Sequence, residues 1–153
     1  MTRSPASVAD QASRPALLSI KPKYADLILS GKKRVEFRRT WARSHVNLLI
    51  LYASTPARKI VGAVEVLHVE AGSSKRLWDL CQQHGGGLTR VELEDYFRGK
   101  PQGVAILLGR TFVPDRPVEP GSVIKNFVAP QSYRYLAGPE YLAALKALHP
   151  LGA

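Results

Sequence analysis

Residues 19–39 read SIKPKYADLILSGKKRVEFRR, and the periodicity changes twice within that stretch. Ser19-Ile20 ends a short apolar run, Ala16-Leu17-Leu18-Ser19-Ile20, of strand type. Pro22 suits a first helical turn, where its missing N–H is not needed. Tyr24, Leu27 and Ile28 then recur at helical spacing, and Gly31 stops the helix in the left-handed conformation. A two-turn helix is predicted over 22–30. From Arg34 the period falls to two, with Val35 and Phe37 on one face and Arg34, Glu36 and Arg38 on the other. The segment therefore predicts strand, short helix, then a charged strand.

Outward from this stretch, further strands are predicted at Val46–Ala53, Lys59–Val69 and Gly103–Val113. Two helices are expected between the last two. One runs from Ser74 to Gln83. The other starts at Thr89, which forms a capping box with Glu92. Gly85-Gly86-Gly87 separates them as a flexible turn. A final helix is expected over Pro139–Leu148, with Tyr141, Leu142, Leu145 and Leu148 on one stripe. Consecutive short strands without regular βαβ alternation point to an α+β fold, a mixed sheet or small barrel. A closed barrel also removes vulnerable sheet edges. Residues 1–15 are polar, small and aperiodic, and are expected to be a disordered tail ahead of one domain over 16–150.

The chain of 153 residues carries 22 Lys and Arg against 12 Asp and Glu, a net charge of +10. Such a field attracts polyanions: nucleic acid, phosphate-bearing ligands or acidic membrane surfaces; it also serves simply as a solubilising surface. One cysteine, Cys81, excludes an internal disulfide and a multi-cysteine zinc site. It lies among apolar residues and reads as core, as does Trp78. No window reaches the roughly 18 apolar residues of a membrane helix, and no apolar signal core opens the chain. A cytoplasmic protein is expected. The four histidines are scattered, and no metal or other cofactor is expected.

The densest basic segment is Lys32, Lys33, Arg34, Arg38, Arg39 and Arg43, with Lys21 and Lys23 just before it, across the short helix. These side chains either converge with the helix start on one anion site or form a solvated strand edge. Lys33 becomes a base or nucleophile if burial or neighbouring cations lower its pKa. Glu36 opposes that, so an ion pair among Lys33, Glu36 and Arg38 is the plain alternative. Gln131, Ser132, Tyr133 and Arg134 offer amide, hydroxyl, aromatic and guanidinium groups in succession, a set suited to single-stranded RNA. The tyrosines alternatively pack the barrel end. Ser54 and Thr55 before Pro56 either bond a phosphate or merely shape a turn. Trp41 offers a further stacking surface.

The stretch quoted above is similar to the opening motif of ASCH domains, a helix followed by Gly-x-Lys-x-x-Glu-x-Arg, matched by Gly31, Lys33, Glu36 and Arg38. Two more segments resemble this group: Tyr52-Ala53-Ser54-Thr55-Pro56 with Ile60-Val61-Gly62, and residues 129–136, APQSYRYL. The resemblance implies a PUA-like β-barrel and RNA-related binding in a cleft between the first helix and the barrel. Some ASCH proteins are amidohydrolases that deacetylate a modified cytidine, and ribonuclease activity is also associated with the family. Lys33 matches the catalytic lysine of the amidohydrolase branch. Glu36 stands where that branch has a threonine. His84-Gly85-Gly86-Gly87-Leu88 holds no carboxylate where it has a glutamate.

The expected function is RNA binding, or binding of a nucleotide-like small molecule. Lys21, Lys33, Arg38 and Arg39 would hold phosphate. Glu36, Gln131, Ser132 and Tyr133 would read or stack a base, and Lys23, Ser54 and Arg134 are further expected ligand contacts. The alternatives are a hydrolase with Lys33 and Glu36 at its centre, acting on acetylated cytidine or on RNA, and an interaction scaffold in gene regulation.

Overall fold

The computed structural model describes residues 14–148. The elements are β1 (Arg14–Ile20), α1 (Pro22–Leu29), β2 (Val35–Arg38), β3 (Val46–Ala53), β4 (Lys59–Gly72), α2 (Ser74–His84), α3 (Arg90–Tyr96), β5 (Gly103–Phe112), β6 (Tyr133–Tyr135) and α4 (Gly138–Leu148). One mixed sheet holds all six strands in the order β2-β5-β4-β3-β1-β6. β1 runs parallel to β3, with Leu17 opposite Ile50, and the other neighbours are antiparallel. Bulges near Val64, Val66 and His68 bend the long β4, as extra residues on one strand do. The sheet is therefore a curled, open barrel with β2 and β6 as its edges.

Both faces of this sheet are covered, which explains the unbroken apolar run at Ala16–Leu18. Ala16, Leu18 and Ile20 face one cluster with Leu49, Leu51, Val64, Ile106 and the α1 residues Ala25 and Ile28. Leu17 faces another, with Ile50, Tyr52, Ile124, Leu136 and the α4 residues Ala144 and Leu148. Val35 and Phe37 pack with Leu77, Leu80, Cys81, Leu93 and Phe97 beneath α2 and α3.

Several expectations need correction. Arg14 and Pro15 belong to β1, where they pair with β3; the rest of the expected tail lies outside the described residues. β6 has three residues, too few to carry a readable alternation. On α4 the inward stripe is Tyr141, Ala144, Leu145 and Leu148, and Leu142 is exposed. The triple glycine is a packed support rather than a flexible spacer. Gly85 ends α2 with φ +62°, and a Cβ on Gly86 would sit 2.4 Å from Cys81 Sγ. The Thr89–Glu92 capping box is present. Trp78 is half-buried against the cluster beneath α2. Among the described residues, no helix is long and apolar enough to cross a membrane.

Candidate functional site

The curled sheet leaves a cavity of about 830 Å³ between the start of α1, the β1 end, β2, the β3–β4 turn, α3 and the segment 127–131. Backbone bonds hold these pieces together. Ser54 N–H donates to Ile20 O at 2.9 Å, and Ser19 N–H donates to Ser132 O at 2.9 Å. Ser19 Oγ–H donates to Pro130 O at 2.6 Å.

The floor is a charged network. Glu36 and Lys33 are buried, at 8% and 2% exposure. Of the two readings of this charged face, a solvated strand edge is absent at Glu36, which lines the cavity together with Tyr24 of α1, Tyr96 of α3 and Phe127. Lys33 Nζ lies 3.4 Å from Glu36 Oε1 and donates to Gly86 O. Arg38 donates to Glu36 Oε2 through Nε at 3.1 Å and through Nη2 at 2.8 Å. Its remaining donors reach Ser19 O at 3.1 Å and Ser132 Oγ at 3.3 Å. Burial holds the Lys33 ammonium below the ordinary lysine pKa, and Glu36 opposes that shift. Taking such charges out of water costs several kcal/mol per ion, which pairing and hydrogen bonds offset.

Aromatic side chains form the walls: Tyr24, Tyr52, Tyr96 and Phe127. Tyr52 and Phe127 lie with ring centroids 5.0 Å apart. Burial raises the pKa of the Tyr96 hydroxyl, which therefore stays a neutral donor. The rim carries Lys21, Arg58, Ser54, Thr55, Glu92 and Gln131. The β3–β4 turn is closed by backbone, Ala57 N–H to Ser54 O at 3.1 Å, so the turn itself does not require the Ser54 hydroxyl. Arg58 has φ +54°, a left-handed conformation uncommon outside glycine and asparagine, and its Nε lies 3.4 Å from Thr55 Oγ1. Four cations against two carboxylates line the cavity, a balance that favours anionic ligands.

Of the expected residues, Lys21, Lys33, Glu36, Arg38, Ser54 and Gln131 line this one cavity. Ser132 stands behind it, bonded to Arg38. Lys23 and Arg39 do not line it. Lys23 is exposed, with Nζ 5.0 Å from the Tyr24 ring centroid. Arg39 donates to Tyr96 O at 2.7 Å and Arg98 O at 3.1 Å, which ties β2 to α3. Tyr133 packs against Trp41 with centroids 4.8 Å apart and the rings tilted by 49°, so these two rings meet each other. Arg134 pairs with Glu140 at 3.2 Å. Residues 131–134 therefore do not share one surface: Gln131 lines the cavity and Ser132 meets Arg38, while Tyr133 and Arg134, neighbours on β6, point to opposite faces. Tyr24, Tyr52, Tyr96, Phe127 and Arg58 were not singled out as ligand contacts from sequence. Tyr24 is legible through its helical spacing and Tyr52 through the family-like segment it opens, and no sequence signal marks Arg58, Tyr96 or Phe127.

A small open barrel with a polar cavity beside its first helix and edge strand defines the PUA-like class. The model of the ASCH domain matches residues 18–107, and the chain belongs to the ASCH domain family. The third family-like segment, 129–136, falls beyond that match. The chain is similar to an ASCH domain-containing ribonuclease of Zymomonas mobilis, 31% identical over 131 residues, 83% of this chain and 87% of the relative. The crystal structure of ASCH from Zymomonas mobilis superposes with a TM-score of 0.79 at 28% identity, covering 87% of this chain and 94% of that one. The N-terminal domain of Staphylothermus marinus McrB, at 14% identity and a TM-score of 0.56, covers 88% of this chain and 94% of its own, and shares the fold alone.

Proposed function

We propose that this ASCH domain binds single-stranded RNA, or a nucleotide-like fragment of it, in the cavity between α1 and the open barrel. The observation that carries the reading is the meeting of Lys21, Lys33, Glu36, Arg38, Ser54 and Gln131 in one hollow although they are scattered from 21 to 131 along the chain. Exposed Lys21 and Arg58 at the rim suit phosphate. The aromatic walls suit base stacking, which contributes about 1–3 kcal/mol per base. Binding to a short single-stranded RNA should fall with salt at a log–log slope near −0.7 per neutralised phosphate. Lys21→Ala and Arg58→Ala should each flatten that slope by about one phosphate. A flat response in the wild type would overturn the reading.

Cleavage of the bound RNA is the second reading, favoured by the similarity to a relative named as a ribonuclease. Rim cations beside a phosphodiester would stabilise charge developing on its oxygens. Incubation of end-labelled RNA with wild type and with Arg58→Ala tests it, and intact RNA after binding to wild type would remove it. The deacetylase reading is weaker. Glu36 offers Lys33 an ion-pair partner instead of a hydroxyl to activate, and turnover of acetylated cytidine is expected to be absent.

A further inference from the structure

The floor and the rim of the cavity offer a ligand opposite things. At the floor the cationic groups are already engaged: Lys33 with Glu36 and Gly86 O, Arg38 with Glu36, Ser19 O and Ser132 Oγ. Both Arg38 bonds to Glu36 arrive at Oε2. Oε1 is left with the Lys33 ammonium at 3.4 Å. A carboxylate oxygen has two lone-pair sites, so Oε1 keeps acceptor capacity. Glu36 lines the cavity, and its side chain retains 10% exposure. Its carboxylate is held in place by the two Arg38 bonds at Oε2 and by Lys33 at Oε1. A phosphate is unsuited to the floor, where it would meet this carboxylate. Lys21 and Arg58, which form no ion pair among the described residues, stand at the rim, the Arg58 side chain hydrogen-bonding only the Thr55 hydroxyl.

Resting on the RNA reading above, we propose that Glu36 is a specificity-determining residue: its Oε1 accepts a hydrogen bond from the exocyclic amine of a base seated on the cavity floor, so the domain selects cytosine or adenine over uracil. Cytosine N4 and adenine N6 are amine donors. Uracil presents carbonyl oxygens there, with its one ring N–H set between them. Carbonyl oxygens facing a buried carboxylate repel it and bring Oε1 no donor beyond Lys33. Tyr24 and Tyr96 line the same space and provide faces for the ring.

The test uses the full chain and fluorescently labelled 2′-O-methyl octamers, which lack the hydroxyl needed for self-cleavage. Octamers of cytidine, adenosine, uridine and N4,N4-dimethylcytidine are compared by fluorescence anisotropy. A hydrogen bond to a charged group corresponds to roughly ten- to hundredfold in affinity. Cytidine and adenosine octamers should bind about tenfold or more tighter than uridine, and dimethylation should erase the cytidine advantage. Glu36→Gln, which can turn amide donors toward the ligand, should narrow the gap to uridine. The dimethylated probe tests the same bond without altering the protein, so the outcome does not depend on that variant folding. Equal binding of cytidine, dimethylcytidine and uridine octamers overturns the base selection while leaving RNA binding intact. Failure of every octamer to bind overturns the RNA reading and this inference with it.

Discussion

Arg38 closes the open barrel onto Ser132. Its guanidinium, at the end of one edge strand, lies 3.3 Å from the hydroxyl of Ser132, which immediately precedes the strand at the other edge. The same guanidinium reaches Ser19 O on β1. One side chain thus bridges the seam that no ladder joins among the described strands.

That seam can be measured. Ser132→Ala removes one long bond and should cost about 1 kcal/mol of stability. Arg38→Ala removes several and leaves Glu36 poorly compensated, at a cost of about 3 kcal/mol or more. A double-mutant cycle by urea denaturation should show non-additivity, since both changes break the same contact.

Glu36 is the partner that makes a buried lysine tolerable. Glu36→Ala should destabilise by about 3–5 kcal/mol, the usual consequence of stranding a buried charge. The sign with pH follows from burial, which lowers the Lys33 pKa. Between its lowered folded value and the ordinary lysine value, near 10.4, the unfolded chain then holds more protons at this position than the folded one. Stability due to Lys33 therefore rises with pH through that window. The stability difference between wild type and Lys33→Met should move toward wild type as the pH is raised toward the ordinary lysine value in denaturation curves.

Glu140 anchors the start of α4. Its Oε1 accepts the Ala137 N–H at 2.9 Å, and its oxygens pair with Arg134. These contacts, the Ala137 bond foremost, hold its carboxyl below the ordinary range. Stability from this group is complete above the ordinary carboxylate pKa and is lost as pH falls through the lower folded value. Glu140→Gln should cost no more than about 1 kcal/mol at pH 7, because the pair is partly solvated. That difference should shrink toward zero on acidification from about pH 5 downward, as followed by thermal melts.

Gly85 supports the site from below. A Cβ there would meet Lys32 O at 2.2 Å, and its φ of +62° is left-handed. Gly85→Ala should cost about 1–2 kcal/mol for the backbone conformation alone, with more from the overlap. Because the displaced carbonyl belongs to the residue before Lys33, RNA affinity should fall as well. Gly121→Ala, where a Cβ meets nothing within 4 Å, is the matched control for melting and binding.

What the chain determined locally was legible in its residues. The change from helical to alternating spacing between Leu27 and Phe37, Pro22 at a helix start, Gly31 after its end, and the Thr89–Glu92 box are contacts between near neighbours, and each predicted element is present. The motif residues Lys33, Glu36 and Arg38 were also visible, because they share one strand and its approach. Tertiary structure alone decided which way those side chains faced and what met them. Alternation shows that Glu36 and Arg38 share a face but not what that face meets, and α1, α3 and the 127–131 segment turn it into the wall of a cavity. Arg58, Tyr96 and Phe127 arrive from chain positions far from residue 36, and Arg39, Tyr133 and Arg134 leave for other partners. Long-range packing sets those placements, since a side chain's partners depend on how distant segments fold together.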